Sequence, residues 1–168
     1  MPGKLPDAEQ LLKALTEKMR AEVGPETGLI GIHTGGAWLA GRLHDALGLK
    51  TPCGSLDVSF YRDDYEKIGL HRDVKTSSIP FEVEGRPLIL VDDVLYTGRT
   101  IRAAMNELFD YGRPASIKLA ALVDRGGREL PIAAQYVAAT LTVDADEIIE
   151  LARDDQGRLS LTVTKRPD

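Results

Sequence analysis

The sequence predicts an α/β domain with a central, mostly parallel β-sheet flanked by helices. Three observations carry this. Strand-like and helix-like segments alternate along most of the chain. Leu88-Ile89-Leu90-Val91 and Leu119-Ala120-Ala121-Leu122-Val123 are apolar without interruption, as strands covered on both faces are. Ile101, Ala104, Met105, Leu108 and Phe109 recur at helical spacing and define one apolar helix face.

The elements follow in order. Asp7 opens a capping box with Gln10, and Leu11, Leu12, Leu15 and Met19 continue as a helix face that Gly24-Pro25 stops. Gly28 to Ile32 is a short apolar strand, and Thr34-Gly35-Gly36 a tight loop. Leu39, Ala40, Leu43, Ala46 and Leu47 mark the next helix, with Gly48 as its C-terminal cap. Leu56 to Phe60 alternates as a half-buried strand does. Tyr61 to Pro80 is polar, aperiodic and long for an internal loop, which marks it as functional or mobile. After the helix on Ile101 to Phe109, Gly112 and Pro114 break the chain, and Leu119 to Val123 and Tyr136 to Ala139 read as strands. Glu147 to Leu151 and Leu159 to Thr164 flank Asp154-Asp155-Gln156-Gly157 as a terminal hairpin over about 145–168. The absence of repeats and linkers predicts one domain over 1–168.

The chain has 168 residues and a mass of 18.3 kDa. That length buries about 70% of the unfolded surface. Composition excludes disorder and low complexity: hydrophobic residues are 43% and charged residues 28%. The longest apolar run, Leu119 to Val123, is far below the ~20 residues of a membrane helix. Met1 to Asp7 has no apolar core of a secretory signal, and the single Cys53 makes no internal disulfide; both point to the cytoplasm. A net charge of −5 argues against a general nucleic-acid coat. Charge is nonetheless uneven. Arg99, Arg102, Arg113, Lys118, Arg125 and Arg128 outnumber Glu107, Asp110 and Asp124 between positions 99 and 128, whereas the chain beyond Ala139 is acidic.

The most informative stretch runs from Leu88 to Thr100. A buried strand leads into Asp92-Asp93, and Thr97-Gly98-Arg99-Thr100 then opens a helix. Ligands of open α/β sheets sit beyond the carboxyl ends of the strands. A helix N-terminus offers free N–H groups to an anion, Gly98 permits close backbone approach, and Thr97 and Thr100 add hydroxyl donors. The loop therefore suits a terminal phosphate. The carboxylates repel phosphate and suit either hydroxyl groups or a metal. Phosphate on one side and vicinal hydroxyls on the other describe a ribose 5-phosphate.

These 13 residues, Leu88, Ile89, Leu90, Val91, Asp92, Asp93, Val94, Leu95, Tyr96, Thr97, Gly98, Arg99 and Thr100, resemble the 5-phosphoribosyl-1-pyrophosphate (PRPP) signature of type I phosphoribosyltransferases. Gly31-Ile32-His33-Thr34, Leu56-Asp57, Tyr61-Arg62-Asp63-Asp64, Ile79-Pro80-Phe81, Val123-Asp124-Arg125-Gly126 and Arg128-Glu129-Leu130-Pro131 resemble the PyrR family in particular. Its members are pyrimidine operon attenuation regulators that also act as uracil phosphoribosyltransferases. The resemblance implies a type I phosphoribosyltransferase-like fold with a small hood and the C-terminal hairpin. It implies ribose contacts for Asp92 and Asp93, and a 5-phosphate cradle for Tyr96 to Thr100. It implies a pyrophosphate loop of His33, Thr34, Gly35 and Gly36 in a turn that often holds a non-proline cis peptide. A mobile lid over about 61–80 with Arg62, and a base or hood region at Asp124, Arg125 and Gly126, complete the implied site. The implied reaction transfers ribose 5-phosphate from PRPP to uracil, giving UMP and pyrophosphate. Mg²⁺ is bound mainly through the substrate and not by direct protein ligands.

The implied partners are PRPP, uracil, UMP, pyrimidine-operon leader mRNA and further copies of the chain, as a homodimer or higher homo-oligomer, without a membrane. Two alternatives stay open: an RNA-binding nucleotide sensor with little catalysis, and a phosphoribosyltransferase for a purine base. Arg125 and Arg128 could face base, pyrophosphate or RNA, or be plain surface. The helical position of His44 predicts a surface residue.

Overall fold

The computed structural model describes residues 5–58 and 77–166. Helix α1 (Ala8–Arg20) begins at Asp7, whose carboxylate accepts the N–H of Glu9 at 3.0 Å. Strand β1 (Gly28–Ile32) leads into α2 (Gly35–Leu47), which ends at Gly48 in the left-handed conformation. Strand β2 (Gly54–Leu56) is short, and β3 (Pro87–Leu95) follows. Helix α3 (Arg99–Phe109), β4 (Ser116–Asp124) and β5 (Tyr136–Thr140) lead to the hairpin of β6 (Glu147–Arg153) and β7 (Leu159–Lys165).

The five-stranded sheet has the order β2-β1-β3-β4-β5, with every pairing parallel, and β6-β7 pair antiparallel. This is the expected α/β architecture with its terminal hairpin. The continuous apolar runs are explained by burial on both faces. Leu29, Ile89, Val91, Ala120 and Leu122 join Leu15, Met19, Leu39 and Leu43 of α1 and α2 in one core. Ile30, Ile32, Leu88, Leu90, Leu119 and Ala121 meet Ile101, Ala104 and Leu108 of α3 in the other. A two-stranded hairpin is marginal alone. This one buries Ile149, Leu151, Leu159 and Leu161 in the α1–α2 core. Glu9 anchors it further, accepting the N–H of Leu159 at 2.8 Å while pairing with Arg42 at 2.6 Å.

Three elements differ from expectation. Strand β2 (Gly54–Leu56) ends where the alternating run from Leu56 was expected to begin; Asp57 and Val58 are not in a strand, and residues 59 and 60 lie outside the described residues. Helix α2 begins at Gly35, a turn before the apolar periodicity starts at Leu39. Strand β3 does not stop at Val91 but runs through the acidic pair to Leu95. Its phase shifts there: Ile89 and Val91 face the α1–α2 core, yet Val94 also packs on that side while Leu95 faces α3. Each carboxylate at the shift binds the next backbone amide, Asp92 Oδ1 that of Asp93 at 2.9 Å and Asp93 Oδ1 that of Val94 at 2.8 Å. Phe109, expected on the buried helix face, is 55% exposed at the end of α3. Among the described residues, no helix is long and apolar enough to cross a membrane.

Candidate functional site

A parallel sheet of order 2-1-3-4-5 has its crevice between the first and third strands, where successive connections leave in opposite directions. The loop after β1 and the loop after β3 meet at that place. The first holds His33 and Thr34 and passes into Gly35 and Gly36 at the start of α2; the second, Tyr96 to Gly98, joins the end of β3, which carries Asp92 and Asp93, to the start of α3. The His33–Thr34 peptide is cis, where the resemblance places such a bond.

The two loops are fitted to each other without room for a methyl group. A Cβ on Gly36 would fall on the carbonyl oxygen of Val91 and stand 3.1 Å from the Cα of Asp92. A Cβ on Gly35 would meet the carboxylate of Asp93, with Cγ at 2.8 Å. The double glycine therefore places the first turn of α2 directly against the acidic pair. Asp92 is buried and Asp93 half-buried.

Helix α3 starts from Gly98 at φ +95°, a conformation that favours glycine. Thr97 Oγ1 accepts the N–H of Arg99 at 3.2 Å. Neither α2 nor α3 carries an acidic residue in its first turn, and neither Thr34 nor Gly98 caps its helix with a side chain. First-turn amides have no intrahelical acceptor, and the helix dipole leaves that end positive. Two helix N-termini thus flank a pair of carboxylates at one crevice. The arrangement suits a ligand with two anionic ends and hydroxyl groups between them. Hydrogen bonds from hydroxyls to carboxylates contribute about 1.5–3 kcal/mol each, against about 0.3–1 kcal/mol for an exposed helix terminus and an anion. The acidic pair is therefore the stronger determinant of ligand choice.

Asp124 ends β4 and pairs in register with Leu95, just before the Tyr96–Gly98 turn. Burial pushes its carboxyl up, but the hydrogen bond from Arg128, the N–H of Gly126 and the Arg128 charge outweigh this and hold it below the ordinary range. Arg125 lies over the ring of Tyr96, 4.0 Å from its centroid, and donates to the carbonyls of Glu147 at 2.6 Å and Asp144 at 3.1 Å. Arg128 donates to Tyr96, Ile132 and Asp124. Both guanidinium groups thus bind the protein's own loops. The exposed cations of that stretch include Arg102, Arg113 and Lys118. Of the three acceptors of Arg128, the sequence spacing offers only the Asp124 carboxylate at i−4; the carbonyls of Tyr96 and Ile132 are supplied by the fold.

His44, expected at the surface, is half-buried, and its Nε2 lies 2.8 Å from the carbonyl oxygen of Thr51. Trp38 packs against the core with Arg153 over its ring at 4.6 Å. Cys53 is half-buried, and burial first, then the charge of Asp45, push its thiol up to about 11. Arg62 and most of the expected lid lie outside the described residues.

Among the described residues, no cluster of three or more His, Cys, Asp or Glu side chains could hold a metal ion. Asp92 and Asp93 are hard oxygen donors and fit an Mg²⁺ that arrives on phosphate oxygens and keeps much of its own shell.

A phosphoribosyl transferase domain family model matches residues 3–156. The chain is 52% identical over 152 residues to the bifunctional protein PyrR of Pseudomonas paraeruginosa, covering 88% of this chain and 89% of that protein. It is 49% identical over 161 residues to the bifunctional protein PyrR of Pseudomonas fluorescens, covering 94% and 96%. Among solved structures it is similar in fold to the hypoxanthine phosphoribosyltransferase of Trypanosoma cruzi, with TM-score 0.68 at 21% identity over 97% of this chain and 96% of that one. The purine phosphoribosyltransferase of Pyrococcus horikoshii Ot3 gives TM-score 0.60 at 27% identity, covering 79% and 81%.

Proposed function

The chain belongs to the phosphoribosyl transferase domain family, in its PyrR branch, and from that premise we propose that it is a uracil phosphoribosyltransferase that also regulates pyrimidine genes. The observation that carries the catalytic reading is the single crevice in which Asp92-Asp93 lie between the N-termini of α2 and α3. In this reading the loop from Tyr96 to Thr100 takes the 5-phosphate of PRPP. The amides of Gly35 and Gly36 take the pyrophosphate, and Asp92 and Asp93 accept the ribose hydroxyls.

The C1′–O bond breaks and the C1′–N1 bond forms as uracil N1 approaches, so positive charge develops on the ribose ring and negative charge on the departing pyrophosphate, and the N1 proton leaves with the pyrophosphate or to water. No covalent nucleophile is needed. The protein acts by positioning and electrostatics. The carboxylates hold the ring by its hydroxyls near the developing cation. The positive end of α2 faces the leaving group. Mg²⁺, when bound with PRPP, supplies charge neutralisation of that leaving group. Asp124, Arg125 and Gly126 close the base side. Purine-base transfer is the rival, and it predicts a different preference in a panel of bases.

Regulation is inferred from the name of the relatives, bifunctional, together with the uneven charge of the chain. Binding of leader mRNA would rest on exposed cations such as Arg102, Arg113 and Lys118, since Arg125 and Arg128 bind internal acceptors. UMP in the crevice would strengthen the complex by linkage. The reading includes a homo-oligomer in the cytoplasm.

Two experiments test these halves separately. Calorimetry of PRPP with Mg²⁺ should show weaker binding to the Asp92→Asn/Asp93→Asn double variant than to wild type; equal binding refutes the ribose assignment. Gel shifts against pyrimidine leader RNA should show a sequence-specific complex, strengthened by UMP and weakened by salt because each phosphate contact releases counterions. No specific shift at any salt concentration removes the RNA role and leaves the enzyme.

A further inference from the structure

The phosphate loop is held from behind by the segment that follows β4. The carbonyl oxygen of Thr97 accepts the N–H groups of Glu129 at 2.9 Å and Leu130 at 3.1 Å. A Cβ on Gly98 would stand 2.9 Å from Cγ1 of Ile132, and one on Gly127 would fall on the ring of Tyr96. Arg128 locks the two segments together. Its Nη1 donates to the carbonyl of Tyr96 at 2.7 Å, its Nε to that of Ile132 at 2.8 Å, and its Nη2 to Asp124 Oδ2 at 2.5 Å. Each of the three guanidinium nitrogens is engaged. The side chain is 26% exposed, so these bonds are shielded more than those of an ordinary surface pair.

Peptide planarity turns this hold into a statement about the site. In a trans peptide the C=O and the following N–H point in opposite directions. Arg128 fixes the Tyr96 carbonyl toward the β4–β5 connection, so the Thr97 N–H of the same peptide points away from that connection. The Thr97 carbonyl is fixed on the same side by Glu129 and Leu130, so the Gly98 N–H also points away. Two successive amides are thereby aimed together, as an anion requires. Lysine cannot reproduce the hold, because a single ammonium group does not present a planar fork to three separated acceptors.

We propose that Arg128 is a positioning residue for phosphate binding: by holding the Tyr96 carbonyl it aims the Thr97 N–H at the 5-phosphate of the substrate. It touches neither base nor pyrophosphate. The inference rests on the reading that the loop from Tyr96 to Thr100 takes the 5-phosphate.

The test uses two probes that occupy different ends of the crevice, ribose 5-phosphate and inorganic pyrophosphate with Mg²⁺, titrated calorimetrically into wild type, Arg128→Gln and Arg128→Lys. Arg128→Gln should weaken ribose 5-phosphate binding roughly tenfold or more, the loss expected when a hydrogen bond to a charged group is misaimed. Pyrophosphate affinity should stay unchanged. Arg128→Lys, which keeps the charge and one donor, should fall between wild type and Arg128→Gln. In steady-state assays the KM for PRPP should rise more than the KM for the base, since Arg128 also holds Asp124 on the base side. A merely structural role would weaken both probes together and lower the melting temperature in proportion, and that result overturns the proposal. A changed KM for the base with unchanged ribose 5-phosphate binding makes Arg128 a base contact and overturns it too. Equal ribose 5-phosphate binding by all three proteins overturns the positioning role while keeping the phosphate loop. Failure of wild type itself to bind ribose 5-phosphate removes the phosphate-loop reading as well.

Discussion

Replacing Gly36 by alanine probes the junction on which the candidate site depends. The added Cβ would strike the carbonyl oxygen of Val91 and approach the Cα of Asp92 to 3.1 Å. Both are backbone atoms of a central strand, so no side-chain rotation relieves the contact. Gly41 in the same helix is the internal control, because a Cβ there meets nothing within 4 Å. Alanine is preferred over glycine in a helix interior by about 0.5–1 kcal/mol. Overpacking a fitted contact costs about 1–3 kcal/mol. Gly41→Ala should therefore stabilise by about 0.5–1 kcal/mol and Gly36→Ala destabilise by about 1–2 kcal/mol. At roughly 2–4 °C per kcal/mol for a chain of this size, Tm should rise by about 1–4 °C in the first and fall by about 2–8 °C in the second. Differential scanning calorimetry reads both. Gly36→Ala should also weaken PRPP binding, since relief requires α2 to draw back from Asp92 and Asp93. Gly35→Ala meets the movable Asp93 carboxylate instead, so it should disturb PRPP binding more than Tm. A Tm for Gly36→Ala equal to or above that of Gly41→Ala would show that α2 does not sit against β3 as described.

Three further outcomes follow from single groups. The Asp124 carboxyl is held below its unfolded value of about 3.9, so it adds stability at neutral pH that is lost as pH falls through the lower folded value. Urea titrations should show wild type more stable than Asp124→Asn from about pH 5 upward, with the gap closing below about pH 4; a gap that widens on acidification refutes the sign. Cys53, with its thiol near 11, should react with iodoacetamide at pH 8 roughly a hundredfold more slowly in the folded protein than an ordinary thiol of pKa about 8.5, and at the ordinary rate in denaturant. Fast labelling of the native protein would contradict the burial of that thiol. Arg42→Ala removes the partner that, by its hydrogen bond, holds Glu9 below the ordinary range. The pair is partly exposed, so the loss should be about 1 kcal/mol or less, seen as a small drop in Tm.

The sequence made the sheet and the helices legible because burial on both faces writes itself as uninterrupted apolar runs, as at Leu88 to Val91 and Leu119 to Val123. The hairpin was equally plain, since Asp154 to Gly157 carry turn chemistry: Asp154 Oδ1 accepts the N–H groups of Gln156 and Arg158, and Gly157 stands at φ +84°. What escaped was set by tertiary contact. The first turn of α2 has no apolar periodicity, because Gly35 and Gly36 are chosen for how closely they approach β3. The continuation of β3 through Asp92 and Asp93 was hidden because polar residues read as a strand end, yet β4 pairs with Asp92 and, past Asp93, with Val94 and Leu95. Phe109 follows the helical period but lies at the last residue of α3, beyond the sheet that would cover it. Asp92-Asp93 and the Thr-Gly loop were visible as chemistry. The inward grip of Arg125 and Arg128 was not, because an arginine that binds distant carbonyls looks in sequence like any surface cation.

The proposed reaction joins ribose 5-phosphate to a pyrimidine in this crevice. The most direct measurement is nucleotide formation from uracil, hypoxanthine, guanine and xanthine, each with PRPP and Mg²⁺, by wild type and by the Asp92→Asn/Asp93→Asn variant. The account predicts UMP and pyrophosphate from uracil with wild type, little product from the purines, and a large loss in the double variant despite a retained fold. A purine nucleotide formed as readily as UMP, or UMP formed equally well without both carboxylates, would contradict it.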